Sequence, residues 1–260
     1  MQLKLFQVDA FSSTTLGGNP AAVCPLDEWL PDQLLQAIAA ENNLAETAYF
    51  VRLAEGHYQL RWFTPEVEVD LCGHATLAAS WVLFEELAVE SPMLRFETRG
   101  GELRVTRNGD TLAMDFPTGI ATPCDPPPDL LRALGISSAE VLESRDYVVV
   151  VKDEAQIAAL TPDFGLLKTC TKFGVAVTAP GRTSDFVSRW FGPRVGVNED
   201  ITTGTSHACL APLWAGRLGK TTLTAIQGGK RKGQLSCQVI GDRVILSGRA
   251  ATYLKGTIVV

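Results

Sequence analysis

What the sequence lacks narrows its class before any motif is read. Its six cysteines, Cys24, Cys72, Cys124, Cys170, Cys209 and Cys237, stand singly, with no C-x-x-C pair and no Cys/His cluster. A structural zinc and a disulfide framework are both disfavoured by that spacing. Runs of like charge are also missing, and the formal net charge is -6. No basic surface is concentrated that could hold a phosphate backbone, so a nucleic-acid partner is not expected. No apolar run approaches the roughly 20 residues that cross a bilayer. The opening MQLKLFQVDAF alternates like a strand, has no long apolar stretch of the signal-peptide kind, and meets Asp9 early. These features predict a cytoplasmic protein with no membrane partner.

Familiar phosphate and nucleophile motifs fail on spacing. GRLGKTT (216–222) contains Gly-Lys-Thr, but the position five before Gly219 is Trp214 where a phosphate-wrapping loop needs glycine. GGKRKG (228–233) has misplaced glycines and no βαβ surroundings, and its cations are expected on a solvated turn. There is no G-x-S-x-G elbow to expose a serine nucleophile.

What is present is enough apolar material for two cores: 46% of 260 residues are hydrophobic. Period-two segments at 2–10, 45–52, 58–64, 93–98, 102–107 and 111–116 predict short strands. Residues 31–41 (PDQLLQAIAAE) place Leu34, Leu35 and Ile38 on one helical stripe behind a first-turn proline. Residues 74–87 are apolar nearly all round, as in a helix enclosed by sheet. FPTGIATPCDPPPDL (116–130) cannot hold a regular element, so the boundary is expected there, giving domains 1–118 and 119–260, with the last strand free to return to the first. The second half predicts strands near 146–152, 173–179, 221–226, 235–240, 243–248 and 252–260, and an apolar helix at 206–217.

The two halves share a weak signature. LCGHATLAASWVLF (71–84) and TTGTSHACLAPLWA (202–215) each run from a small residue through glycine into an apolar helix. A helix start presents unpaired N–H groups and binds anions. Two facing starts would clamp a small acid.

Four segments collect polar residues, three of them with glycine: Gly17-Gly18-Asn19-Pro20, Asn43-Leu44-Ala45-Glu46-Thr47, Asp70 to Thr76, and Asn198 to Thr205. In order and wording, VDAF, GNPAAV, N-L-A-E-T, C-G-H-A-T and E-D-I-T-T-G-T resemble the phenazine biosynthesis-like (PhzF) family along nearly the whole chain. The resemblance implies the α+β diaminopimelate epimerase-like fold, with two similar domains, each a curved, mostly antiparallel sheet around a central helix, and an active site in the cleft between them. It implies a cofactor-independent isomerase acting on a small carboxylate-bearing metabolite, with Glu46, His74 and Asp200 catalytic. Gly18, Asn19, Gly73, Thr203, Gly204 and Thr205 are implied to bind substrate, and a homodimer is implied. No metal is demanded, because one carboxylate in a partly dry cleft can accept and return a proton.

Two departures matter. Epimerases of this fold resemble one another in using two opposed cysteines; the first position here is Cys72, the second is Thr203. An amino-acid racemase using Cys72 as one base is the rival enzyme reading, and a silent metabolite-binding protein is the rival from another class. Ile201 and Thr205 stand where the family most often has proline and serine.

Overall fold

The computed structural model describes residues 1–260, which divide into two compact units, Met1–Asp115 with Ser247–Val260, and Phe116–Leu246. No helix is long and apolar enough to cross a membrane.

The first unit contains β1 (Gln2–Ala10), β2 (Asn19–Leu26), α1 (Asp32–Asn42), β3 (Glu46–Ala54), β4 (His57–Phe63), β5 (Glu68–Val69), α2 (Gly73–Trp81), β6 (Met93–Thr98), β7 (Gly101–Asn108) and most of β8 (Thr111–Pro117). β1 pairs antiparallel with β2, β2 parallel with β3, β3 antiparallel with β4, β4 parallel with β6, and β6 antiparallel with β7. The terminal strand Ala250–Val259 pairs antiparallel with β1 and so completes the first unit.

The sheet is covered on both faces. α1 lays Leu35, Ile38 and Ala39 against Cys24, Leu26, Tyr49, Val51 and Phe63. α2 packs against the other face of β1, β2 and β3, and every residue from Gly73 to Ser80 is buried. This is the enclosed helix its all-round apolar sequence predicts. The α-helix ends at Trp81, however, and Val82–Glu86 continue as a π-helical turn, closed by Leu87 N–H on the Val82 carbonyl.

The second unit contains β9 (Thr122–Pro123), α3 (Leu130–Leu134), β10 (Glu140–Glu143), β11 (Tyr147–Val150), α4 (Glu154–Ala159), α5 (Phe164–Leu167), β12 (Val175–Pro180), β13 (Phe186–Gly192), β14 (Val197–Asp200), α6 (Gly204–Leu218), β15 (Thr222–Gln227), β16 (Gly233–Ile240) and most of β17 (Arg243–Gly248). The last strand, Ala250–Val259, is β18. Here β10 pairs antiparallel with β11, β11 parallel with β12, β12 antiparallel with β13, β13 parallel with β15, and β15 antiparallel with β16.

The alternation of antiparallel and parallel partners is identical in the two units. α1 occupies the crossover that α4 and α5 occupy, and α2 the crossover of α6. Short β5 follows and pairs with β4 as β14 follows and pairs with β13. The duplication only hinted at by two degenerate glycine-helix segments is thus explicit in strand pairing.

Six strands were not expected: the short β5, β9, β10 and β14, and the longer β2 and β13, which carry no period-two signal. β2 (NPAAVCPL) and β13 (FVSRWFG) are enclosed on both faces, and every residue of β13 is buried. A strand buried on both sides has no reason to alternate. Because α2 is fully enclosed, Leu77→Ala is expected to cost about 2–5 kcal/mol in urea unfolding, since its 0% exposed side chain would leave a cavity with no route to collapse.

Candidate active site

In the first unit the chain leaves α1 through Asn43, whose left-handed backbone (φ 48°) turns it toward β3. Glu46 is the first residue of that strand. Parallel pairing sets Ala21 of β2 beside Glu46, so Gly18 and Asn19, just ahead of β2's Pro20, lie at the same sheet end. Gly18 has φ +60°, and a Cβ there would approach the Ala10 carbonyl to 2.1 Å, so this turn requires glycine.

Cys72 precedes α2 and supplies no oxygen to cap it, while Gly73 and His74 form its first turn. His74 bridges the two elements: Nε2 lies 3.1 Å from a Glu46 carboxylate oxygen and Nδ1 lies 3.5 Å from Cys72 Sγ. The imidazole is buried, whereas the Glu46 side chain keeps 15% of its exposure, so the carboxylate is the group a ligand could reach. Cys72 accepts through its carbonyl from the Thr76 hydroxyl at 2.5 Å, which anchors the start of the helix.

Burial pulls the His74 pKa down, but Cys72 and the Glu46 carboxylate outweigh it and hold the imidazole well above its ordinary range. Burial, reinforced by the Glu46 charge, pushes the Cys72 thiol up to about 11. At neutral pH the sulfur is therefore a thiol. Glu46, Cys72 and His74 each offer a ligand atom, all within 4.8 Å of one another. The two ring nitrogens point at different partners, however, so one ion could not take sulfur, nitrogen and oxygen together without turning the ring. The arrangement reads as an ion pair between His74 and Glu46, with the Cys72 sulfur on the ring's other nitrogen.

The second unit builds its centre around Asp200 at the end of β14 and Thr203 just before α6. The Thr203 hydroxyl donates to an Asp200 carboxylate oxygen at 2.6 Å and so is unavailable to cap the helix. Gln227, fully buried at the end of β15, ties the loop together: its carbonyl accepts from Thr203 N–H at 3.0 Å, and its amide donates to the Asp200 carbonyl and Thr203 Oγ1, both at 2.9 Å. Gly204 and Thr205 open α6.

His207 lies a turn further on, with Nδ1 at 2.9 Å from the Thr203 carbonyl and its ring 5.7 Å from that of Phe186. Burial lowers its pKa to about 4, so it is neutral, and a carbonyl partner requires the proton on Nδ1. Gln227 and His207 are the two residues that motif reading did not place here. A glutamine on a strand has no local signature, and its role exists only through the β13–β15 pairing.

Within the first unit, then, Gly18, Asn19, Glu46, Gly73 and His74 gather at one sheet end and the adjoining helix start. Within the second, Asp200, Thr203, Gly204 and Thr205 share one loop and helix start. A model of the phenazine biosynthesis-like protein family matches residues 8–256. The chain belongs to that family.

Its relatives include a Pseudomonas aeruginosa protein named an uncharacterized isomerase, 63% identical over 99% of both chains. The crystal structure of a PhzF-family phenazine biosynthesis protein from Enterococcus faecalis matches with TM-score 0.97 at 44% identity, covering 100% of both chains. A hydroxyproline epimerase from Agrobacterium vitis matches with TM-score 0.63 at 12% identity, over 99% of this chain and 92% of that one. That likeness concerns the fold, which family members share with the epimerases.

The raised His74 pKa has a signed consequence. A group whose pKa is higher folded than unfolded stabilises the fold at low pH and loses that contribution as pH rises through the folded value. His74→Gln is therefore expected to destabilise most near pH 6 and progressively less toward pH 9, as read from urea midpoints of both proteins across that range.

Proposed function

We propose that the chain is an isomerase that moves a proton between carbons of a small carboxylate-bearing metabolite, with Glu46 as the single acid/base. Its family, whose relatives are named isomerases, supports the reaction class. The observation that carries the residue assignment is the Glu46–His74 contact of 3.1 Å between a partly exposed carboxylate and a buried imidazole.

Moving a proton from one carbon to another asks for a group that accepts it, holds it and returns it. Glu46 would take the proton from carbon. His74, held cationic beside it, would offset the charge on the carboxylate and keep it aimed. The N–H groups of Gly73 and His74 at the helix start would meet negative charge developing on the substrate's own carboxylate or carbonyl. This chemistry calls on no cofactor.

The internal duplication favours a one-base over a two-base mechanism. Matching the sheets strand for strand sets Glu46, which precedes Thr47 (paired with Phe63), against Gly174, which precedes Val175 (paired with Phe191). Cys72 before α2 corresponds likewise to Thr203 before α6. The second unit therefore offers neither a carboxylate nor a thiol at these positions. On the first side, Cys72 is protonated at neutral pH, which weakens the racemase reading.

Two substitutions separate the readings. In D2O with a panel of small α-C–H and unsaturated carboxylic acids, the wild type is expected to exchange a carbon-bound proton of its substrate, followed by proton NMR and mass. Glu46→Gln should slow that exchange by roughly 10²–10⁴-fold with an unchanged circular dichroism spectrum. Exchange that persists in Glu46→Gln refutes the assignment. Cys72→Ser should keep the rate within about tenfold; its loss there would instead favour the cysteine-base racemase.

A further inference from the structure

The second unit contains a cavity of about 350 Å³ between α4, the middle of β13 and the turn that follows β15. Its size falls in the range of small-molecule sites. Its floor is apolar: Ile157, Leu160 and Val187 belong to the outer core of this unit, and Ile226 packs against them. The turn is the GGKRKG segment whose cations were expected in solvent. It does not only face solvent: Gly228, Gly229, Lys230 and Lys232 line the cavity.

The turn's shape is set by glycine. Gly228 has φ +118°, and a Cβ there would lie 2.2 Å from the Arg231 carbonyl. No other residue fits that position without moving the turn.

The charged groups around the cavity divide into satisfied and unsatisfied. Arg189 is spent on structure: it forms a two-pronged pair with Glu199 at 2.7 and 2.8 Å and donates to the Ile157 and Leu160 carbonyls. Glu154 accepts from the Arg182 backbone N–H at 3.2 Å and faces its guanidinium at 3.5 Å. Lys230 and Lys232 have no carboxylate partner. The Ser188 hydroxyl, on a residue only 2% exposed, is buried without a hydrogen-bond partner and belongs to the lining. In a chain of net charge -6, an uncompensated pair of cations over an apolar floor runs against the general trend of the surface.

We propose that this cavity binds an amphipathic organic anion, a short apolar body ending in a carboxylate or phosphate. The body would cover Ile157, Leu160 and Ile226, where burial of apolar area favours it. The head would meet Lys230 and Lys232 at the rim. A cationic amphiphile would be repelled by the same pair. The proposal does not depend on the proton-transfer reading of Glu46. It lies one residue from the Gln227 brace, because Gly228 directly follows the side chain that holds Asp200 and Thr203.

The test is titration of the full-length, 15N-labelled protein with sodium octanoate, with octyl phosphate and with octylammonium, followed by NMR and calorimetry. Saturable 1:1 binding of octanoate or octyl phosphate is expected, with shifts centred on Ile157, Leu160, Ser188 and Gly228 and none with octylammonium. The tighter of the two anions identifies the head group. Lys230→Glu/Lys232→Glu, at exposed positions, should weaken binding roughly tenfold or more while leaving thermal unfolding unchanged. Ala158→Trp, at the exposed rim, should weaken it by filling the space. Absence of saturation, equal affinity in the lysine double variant, or shifts confined to Cys72–Ala75 would each overturn the proposal.

Discussion

An imidazole with both ring nitrogens engaged joins the start of a helix to the start of a strand. His74 reaches Cys72 through Nδ1 and Glu46 through Nε2. The same contact sets the geometry and the charge of the first unit's centre. α2 can deliver His74 there only because it is buried all round, which fixes its rotation about its own axis. β3 can deliver Glu46 there only because its parallel register with β2 fixes where the strand begins. The pair is thus held by packing and pairing on either side, and the carboxylate stays partly exposed.

The second unit repeats the architecture without the Glu46–His74 pair. Its helix start is braced by polar contacts, Thr203 to Asp200 and Gln227 to both, where the first is braced by a charged imidazole. Its one histidine at the helix start, His207, is neutral, because burial with a carbonyl partner alone does not favour a charge. His74 is equally buried, yet its pKa is raised, because Cys72 and the Glu46 carboxylate are its neighbours. Two buried histidines on corresponding helices thus shift in opposite directions, and the difference lies in the Cys72 and Glu46 side chains beside the first.

The physical cost of these centres is spread unevenly. A buried ion pair contributes little net stability but is expensive to break. The Asp200 loop relies on short hydrogen bonds instead. Arg189 and Glu199 form a third polar knot in the same unit, where the arginine also satisfies the two carbonyls that end α4. That knot closes one wall of the lysine-rimmed cavity. Its strand, β13, can carry an arginine inside because the Ile157 and Leu160 carbonyls and Glu199 supply its partners, whereas the Ser188 hydroxyl beside it has none.

Much of the fold and part of the candidate site were legible in sequence for a local reason. Alternation located the half-buried strands, all-round apolarity identified α2 as enclosed, and glycine beside polar residues marked Gly18, Gly73 and Gly204. Family resemblance assigned Glu46, His74 and Asp200, residues that would otherwise read as a strand end, a cap and a loop. β2 and β13 were illegible because strands buried on both faces do not alternate. Gln227 and the pairing of His74 with Cys72 were invisible because they depend on neighbours brought in by register. The separation of Lys230 and Lys232 from any carboxylate is likewise a property of where the turn lands. Local propensity and motif are written residue by residue; charge state, bracing and cavity are decided by which side chains the sheets bring within about 3 Å, the hydrogen-bond distance at which those partners act.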